Sequence, residues 1–198
     1  MKLQDAKRDY YRRLAREQGY KSRAAFKLLE TSKRYRLIRP GDVVADFGAA
    51  PGGWDQVASE IVGDSGLVVA LDLVPIDLKE KNLRIVTGDV FDDGAIERVK
   101  MLLPRRLDVG LSDLSPNITG AWDLDHYRQV ELVLRALTVF GELLRKGGNV
   151  MVKVFDGDRL LEVRKTMEQM FRSVSIVKPM ASRQESSELF LVGLGYRA

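Results

Sequence analysis

Val43-Val44-Ala45-Asp46-Phe47-Gly48-Ala49-Ala50-Pro51-Gly52-Gly53-Trp54 is the stretch whose reading decides the fold. It opens with an apolar, β-branched run, passes an aspartate and breaks into small residues and glycines. A run of this kind reads as a buried parallel strand entering a tight turn, with a helix beginning near Pro51. Glycines in the turn have no Cβ, so a ligand can lie against bare backbone. In doubly wound α/β proteins nucleotide-like ligands are held in this place, at the carboxyl ends of the strands.

Outward from that stretch the chain alternates. The pattern predicts further strands at 67–72, 83–87, 107–112 and 148–154, the first one covering 42–47. It predicts helices at 52–62, 92–102, 124–145 and 158–171. This order implies a parallel sheet with helices on both faces. Residues 173–178 and 189–195 read as two strands with no helix between them, which requires antiparallel pairing. Two helices precede the first strand, at 4–18 and about 23–34, with Ser22 the expected cap of the second. The expected architecture is α/β and Rossmann-like. It has a mostly parallel seven-stranded sheet, a C-terminal antiparallel hairpin and a basic N-terminal helical extension. No linker divides the chain, so 1–198 reads as a single domain, with the extension at 1–39 and the core at 40–198.

The chain has no cysteine and one histidine, His126. Disulfides, thiolate sites and multi-histidine metal centres are excluded, and a cytoplasmic location is expected. No apolar run approaches a membrane span, and the charged N-terminus does not read as a signal peptide. The net charge of +4 is unevenly spread. Residues 1–39 hold 13 Lys/Arg and 4 Asp/Glu, a net of +9, and the remainder is net −5. A basic end of this kind is the footprint of a polyanion binder, driven by counterion release from phosphates.

The loop Gly48-Ala49-Ala50-Pro51-Gly52-Gly53 is not the G-x-G-x-x-G of dinucleotide enzymes, and no G-x-x-x-x-G-K-[ST] occurs. Asp72 ends the second strand, where a carboxylate can accept from two ribose hydroxyls. Asp89 follows the third, placed to accept from an exocyclic amine. Asp46 would lie near a cationic amino-acid end. The ordered set Asp46, Gly48, Asp72 and Asp89 describes S-adenosylmethionine, which makes the fold a methyltransferase fold.

The fourth strand runs into Ser112-Asp113-Leu114-Ser115-Pro116-Asn117, which lacks the N/D-P-P-Y/F of amine methylators. A cytosine-C5 mechanism needs a cysteine and is excluded. A carboxylate here suggests a hydroxyl acceptor. In Val150-Met151-Val152-Lys153-Val154-Phe155 a lysine interrupts an apolar strand near its carboxyl end. It can hydrogen-bond a ribose 2′-oxygen, acting either as a base if its pKa is lowered or as a charged group that orients the oxygen.

These segments resemble the FtsJ/RrmJ ribose 2′-O-methyltransferases. The resemblance rests on Ser22-Arg23-Ala24-Ala25-Phe26-Lys27-Leu28, the Asp46–Trp54 run, Ser112 to Asn117, Val152-Lys153-Val154-Phe155 and Ser182-Arg183 to Glu188, and spans roughly residues 7–195. Ser115 stands where bacterial members have Ala, and Phe190 where Tyr is frequent. The resemblance implies a catalytic tetrad of Lys27, Asp113, Lys153 and Glu188, with Glu185 the rival to Glu188 at the wrong offset from Arg183. It implies cofactor contacts at Asp46, Gly48, Pro51, Gly52, Gly53, Trp54, Asp72, Asp89 and Asp113. The implied reaction is methylation of a uridine 2′-OH in large-subunit (23S) rRNA. Arg8-Asp9-Tyr10-Tyr11 with Leu14-Ala15 also resembles the relatives that modify tRNA anticodon-loop riboses. The expected RNA surface is Lys7, Arg8, Arg12, Arg13, Lys21 and Arg23, with Tyr10, Tyr11 and Tyr20 available for base stacking. The expected partner is RNA, as rRNA, ribosomal subunit or tRNA, bound by a monomer without metal or membrane. A non-catalytic RNA-binding protein and a small-molecule O-methyltransferase are the competing classes.

Overall fold

The structure is a computed structural model that describes residues 3–182 and 186–198, over 3–9 by their backbone alone. Two helices, α1 (Leu3–Glu17) and α2 (Ala25–Tyr35), precede the sheet. The core then runs β1 (Val43–Phe47), α3 (Gly53–Val62), β2 (Leu67–Asp72), β3 (Leu83–Thr87), α4 (Asp93–Leu102), β4 (Leu107–Ser112), α5 (Trp122–Leu143), β5 (Leu144–Phe155), α6 (Leu160–Met170), β6 (Phe171–Val177) and β7 (Glu188–Tyr196). The strand order is β3-β2-β1-β4-β5-β7-β6. The first five strands pair in parallel, and β7 runs antiparallel to both β5 and β6.

Side chains alternate across a strand, so one run feeds two cores. Val43, Ala45 and Phe47 join the side chains of α4, α5 and α6 on one face. Val44 joins α2 and α3 on the other. Asp46 shares the second face, as do Met151 and Phe190. Lys153 lies two residues after Met151 and opposite Phe190 in the register, so it points to the same side. The chemistry-bearing residues of three strands therefore converge beneath α2 and α3.

Two expectations need correction. Ser22 does not cap α2: the capping position is Ala24, and the Ser22 hydroxyl is buried against Gly53. Strand β5 starts at Leu144 directly after α5, rather than at 148. Leu144 pairs with Leu107, the register then slips before Val109, and Gly147 takes φ +81° in that irregularity. The helical periodicity of 124–145 hides this break, because Leu143, ending α5, and Leu144, opening β5, are both buried and apolar.

At the opposite end of the sheet Asp108 ties three segments together. Its carboxylate accepts from the Val43 amide at 2.8 Å and pairs with Arg105 and Arg145. Burial alone would raise its pKa, but these donors win and hold it below the usual carboxylate range. Asp108→Ala would leave the Val43 amide and two guanidinium groups without their acceptor. The expected cost is about 2–4 kcal/mol in chemical denaturation, and a loss under about 0.5 kcal/mol would overturn this account.

Candidate active site

The glycine loop follows from its backbone. Gly48 has φ +78°, and its amide donates to the Leu71 carbonyl at 2.9 Å. Gly52, at φ +105°, is the N-cap of α3. The Asp72 carboxylate takes the Ala50 amide on one oxygen (2.9 Å) and the Val74 amide on the other (2.8 Å). It thus braces the loop while remaining half-buried. Asp89 is exposed after β3, where it accepts from the Phe91 amide at 2.9 Å. Pro51 is exposed, and Gly53 begins α3. Trp54 is buried; its indole N–H donates to the Ala24 carbonyl at 2.9 Å and its ring packs on Phe190. Its contacts fasten α3 to α2 and β7.

Two carboxylates lie buried beneath the loop, Asp46 at the end of β1 and Asp55 in the first turn of α3. Apart from each other they have no hydrogen-bond partner among the described residues. Burial drives both pKa values up; Asp55 is pushed to about 7 and Asp46 also rises well above its ordinary value. Their shared hydrogen bond raises Asp46 and lowers Asp55, so the proton rests on Asp46. Nearby Asp72 and Asp113 raise Asp46 further. A cluster that withholds a proton for want of positive charge suits a cationic ligand. Asp55 was not singled out in the sequence, where an acid in a first helical turn reads as an exposed partner of the helix dipole.

This raised pKa has a sign. The carboxyl holds its proton more tightly folded than unfolded, so stability is full below about pH 4 and falls as pH rises toward about 7, at up to about 1.4 kcal/mol per pH unit. Asp55→Asn, which mimics the neutral carboxyl, is expected to stabilise the ligand-free protein by about 1–3 kcal/mol at pH 8 and by nothing near pH 4. Denaturation across that range checks this, and equal effects at both ends would refute it.

Across the loop a set of charges gathers from four elements. Lys153 on β5 is 4% exposed and Lys27 on α2 is 5% exposed. The Lys153 ammonium donates to the Asp113 carbonyl at 2.8 Å. It lies 3.3 Å from the Asp113 carboxylate and 4.0 Å from Glu188. Lys27 donates to the other Glu188 oxygen at 3.1 Å and sits over the Phe190 ring, 5.2 Å from its centre. Burial would raise the Glu188 pKa, but Lys27 and Lys153 outweigh it and hold the carboxyl below its ordinary value. Asp113 is positioned by its own amide, which donates to the Phe47 carbonyl at 2.9 Å, one residue before Gly48. The lysine cluster and the glycine loop are thus hinged on the same β1–β4 strand ends. Glu188 is fixed by its register opposite Phe155. Its rival Glu185, and Arg183, lie outside the described residues.

The basic extension is partly described. Arg12, Arg13 and Lys21 are exposed, and Arg23 is half-buried. Arg13 pairs loosely with Glu17 at 3.6 Å. The side chains of Lys7 and Arg8 lie outside the described residues, though both positions belong to α1. Tyr11 and Tyr20 both pack on Phe26, and the Tyr20 hydroxyl donates to Glu60 at 2.8 Å. Of the three tyrosines only Tyr10 is exposed. Among the described residues no group of three or more His, Cys, Asp or Glu could hold a metal ion, and no helix is long and apolar enough to cross a membrane.

A sheet of this order, with a glycine loop after β1 and an antiparallel β7 inserted beside β5, defines a Rossmann-like methyltransferase. Among solved structures, a ribosomal RNA methyltransferase from Plasmodium falciparum superposes with a TM-score of 0.81 at 25% identity, covering 89% of this chain and 98% of that one. Fibrillarin from Aeropyrum pernix, solved with S-adenosyl-L-methionine bound, shares the fold at a TM-score of 0.61 and 16% identity, covering 86% of this chain and 73% of that one. The model of the FtsJ-like methyltransferase family matches residues 20–196. The chain belongs to that family. Its relatives include the ribosomal RNA large subunit methyltransferase E of Cenarchaeum symbiosum, 45% identical over the whole of both chains. The protein of the same name from Methanocaldococcus jannaschii is 42% identical over 96% of this chain and 79% of its own length.

Proposed function

We propose that the protein transfers a methyl group from S-adenosylmethionine to the 2′-OH of a uridine in large-subunit rRNA. The observation that carries this reading is the buried Lys153, held between Asp113 and Glu188 at the end of β5 beside the glycine loop. The names of the relatives supply the large-subunit rRNA.

Gly48, Gly52 and Gly53, with Pro51, would hold the cofactor against bare backbone. Asp46 would face its cationic end, Asp72 its ribose hydroxyls, Asp89 its base and Asp113 its reactive end; Trp54 supports the loop from behind. The bound cofactor supplies an electrophilic methyl group on a sulfonium. That methyl group would be open to in-line displacement by the ribose 2′-oxygen, the C–S bond pair leaving with sulfur. The hydroxyl proton would pass to solvent water, since a charged Lys153 cannot take it. Lys153 has one N–H committed to the Asp113 carbonyl and a carboxylate on either side. Of its two other N–H groups, neither hydrogen-bonded among the described residues, one orients the 2′-oxygen and stabilises the charge developing there. Lys27 keeps Glu188 ionised and in place. Residues 1–39 form a basic extension of the single domain that meets RNA phosphates, through Lys7, Arg8, Arg12, Arg13, Lys21 and Arg23.

The test uses labelled S-adenosylmethionine with separate pools of unmodified large-subunit rRNA, ribosomal subunits and tRNA, followed by nucleotide identification. 2′-O-methyluridine in rRNA or subunits is the expected result. Label in a tRNA anticodon loop would overturn the substrate but keep the chemistry. No label in any pool, with the cofactor bound, would overturn the enzyme reading in favour of a non-catalytic RNA binder.

A further inference from the structure

At the mouth of the site, beyond Glu188, stands an aromatic group that the proposed chemistry does not use. Trp122 is the first residue of α5 and 47% exposed. Its indole lies nearly parallel to two rings, His126 (5.8 Å between centres, 13°) and Phe155 (6.0 Å, 22°). Both of those rings are buried, while about half of the Trp122 surface meets solvent.

The plane of the indole is set by its surroundings. The buried Asp125, one turn into α5, accepts from the Thr119 amide (2.9 Å), the Thr119 hydroxyl (2.8 Å) and the Gly120 amide (3.0 Å). This fixes the turn that delivers Trp122. His126 is clamped in turn: its Nε2 accepts from the Arg159 amide at 3.2 Å, and its ring fills the space where a Cβ on Gly157 would stand. A side chain held this firmly has already lost most of its rotamer freedom, so a flat ligand stacking on it costs little further ordering.

Position ties this platform to the reaction. Phe155 is two residues beyond Lys153 on β5, on the same side of the strand and ~7 Å along it, and it pairs in register with Glu188. The indole is therefore one ring away from the Lys153–Glu188 pair. Asp123, Asp156 and Asp158 are exposed acids; Arg128 is an exposed cation and Arg159 is committed to Glu131 and Glu162, so the local balance is acidic and disfavours phosphates. That leaves a base, not a backbone, as the part of RNA that fits.

We propose that Trp122 is the stacking platform for an unpaired base flanking the methylated ribose, extending the Phe155–Trp122 stack by one ring. This rests on the RNA substrate proposed above. Stacking a base on an aromatic is sequence-tolerant and is lost on truncation to alanine. The role is one of positioning: it places the 2′-OH, while Lys153 acts on it.

The test has two readouts on the full chain. The protein has two tryptophans, Trp54 and Trp122, and Trp54 is buried. Emission present in the wild type and absent in Trp122→Phe therefore reports Trp122. Single-stranded oligouridylate of about ten nucleotides is expected to quench that emission, and a blunt RNA duplex of equal length to leave it. Oligouridylate that binds, by anisotropy of an end label, without changing Trp122 emission would overturn the proposal.

In steady-state methylation, Trp122→Ala is expected to raise KM for RNA by about 5- to 150-fold. KM for S-adenosylmethionine should not change, and Trp122→Phe, which keeps a flat ring on His126 and Phe155, should recover most of the loss. Wild-type turnover matched by Trp122→Ala would refute the stacking role alone and leave the methyltransferase reading standing. A wild type that methylates no RNA would refute that reading, while the emission experiment would still decide the platform. Quenching by an apolar peptide but not by oligouridylate would reassign the surface to a protein partner and overturn the proposal.

Discussion

Lys153→Ala is expected to lower kcat by about 10³-fold or more while changing the cofactor dissociation constant less than about twofold. The ammonium is the one donor of the set that sits between the Asp113 and Glu188 carboxylates at the strand end. Methyl transfer from a sulfonium needs little bond activation. What remains is alignment of the oxygen and stabilisation of its growing charge, and the function proposed above assigns both to this group. The fold should tolerate the change. Removing one partner of a fully buried pair would leave an expensive bare charge. Here the Asp113 and Glu188 side chains keep 23% and 29% of their surface, so water can reach both, and Lys27 still pairs with Glu188. A melting temperature near that of the wild type is therefore expected. Lys153→Arg should be nearly as inactive, because a planar guanidinium does not fit a slot shaped for a compact ammonium. Single-turnover assays at saturating cofactor read the effect directly. Turnover within tenfold of wild type would remove Lys153 from the chemistry.

Gly48→Ala is expected to damage both binding and fold. At φ +78° any Cβ is strained, by about 1–2 kcal/mol. Here the new atom would also lie 2.6 Å from the Leu114 amide nitrogen and 2.9 Å from the Asp113 carbonyl carbon. Both are backbone, so no side chain can swing aside. Either β1 or the loop after β4 must move, and the Gly48–Leu71 and Asp113–Phe47 hydrogen bonds are the first to suffer. The expected destabilisation is about 3 kcal/mol or more, with loss of calorimetric cofactor binding and of transfer. Gly52→Ala is the control. It too is at positive φ, but its new atom meets Leu78 Cδ1, the far end of a flexible side chain. A Gly48→Ala protein as stable as Gly52→Ala would show that the β4 loop is not packed on Gly48.

The sheet was legible because its strands are short β-branched runs bounded by turns, and Val43–Phe47 and Leu67–Asp72 are found within a residue of their expected limits. Lys153 stood out because a cation inside such a run needs an explanation. Lys27 carried no such signal: within Ala25–Tyr35 it is one of several helix cations, and its burial depends on Glu188, 161 residues away. The family resemblance, not periodicity, pointed to it. Asp55 was illegible for the complementary reason. Its burial depends on how closely α3 packs over β1, and that is a tertiary fact. Asp72 was read as a ligand acceptor, and its bracing of Ala50 and Val74 amides was invisible, since loop hydrogen bonds leave no pattern in sequence.

The placement of β7 between β5 and β6 has a consequence for synthesis. Translation delivers β5 and β6 first, and neither pairs with the other. Both must wait with open edges until residues 188–196 have left the ribosome. The same late segment brings Glu188, the partner of both lysines. Closure of the sheet and assembly of the charge cluster are therefore one event in time. A chain stalled before β7 would present the whole basic extension yet lack the carboxylate that pairs with Lys27 and Lys153.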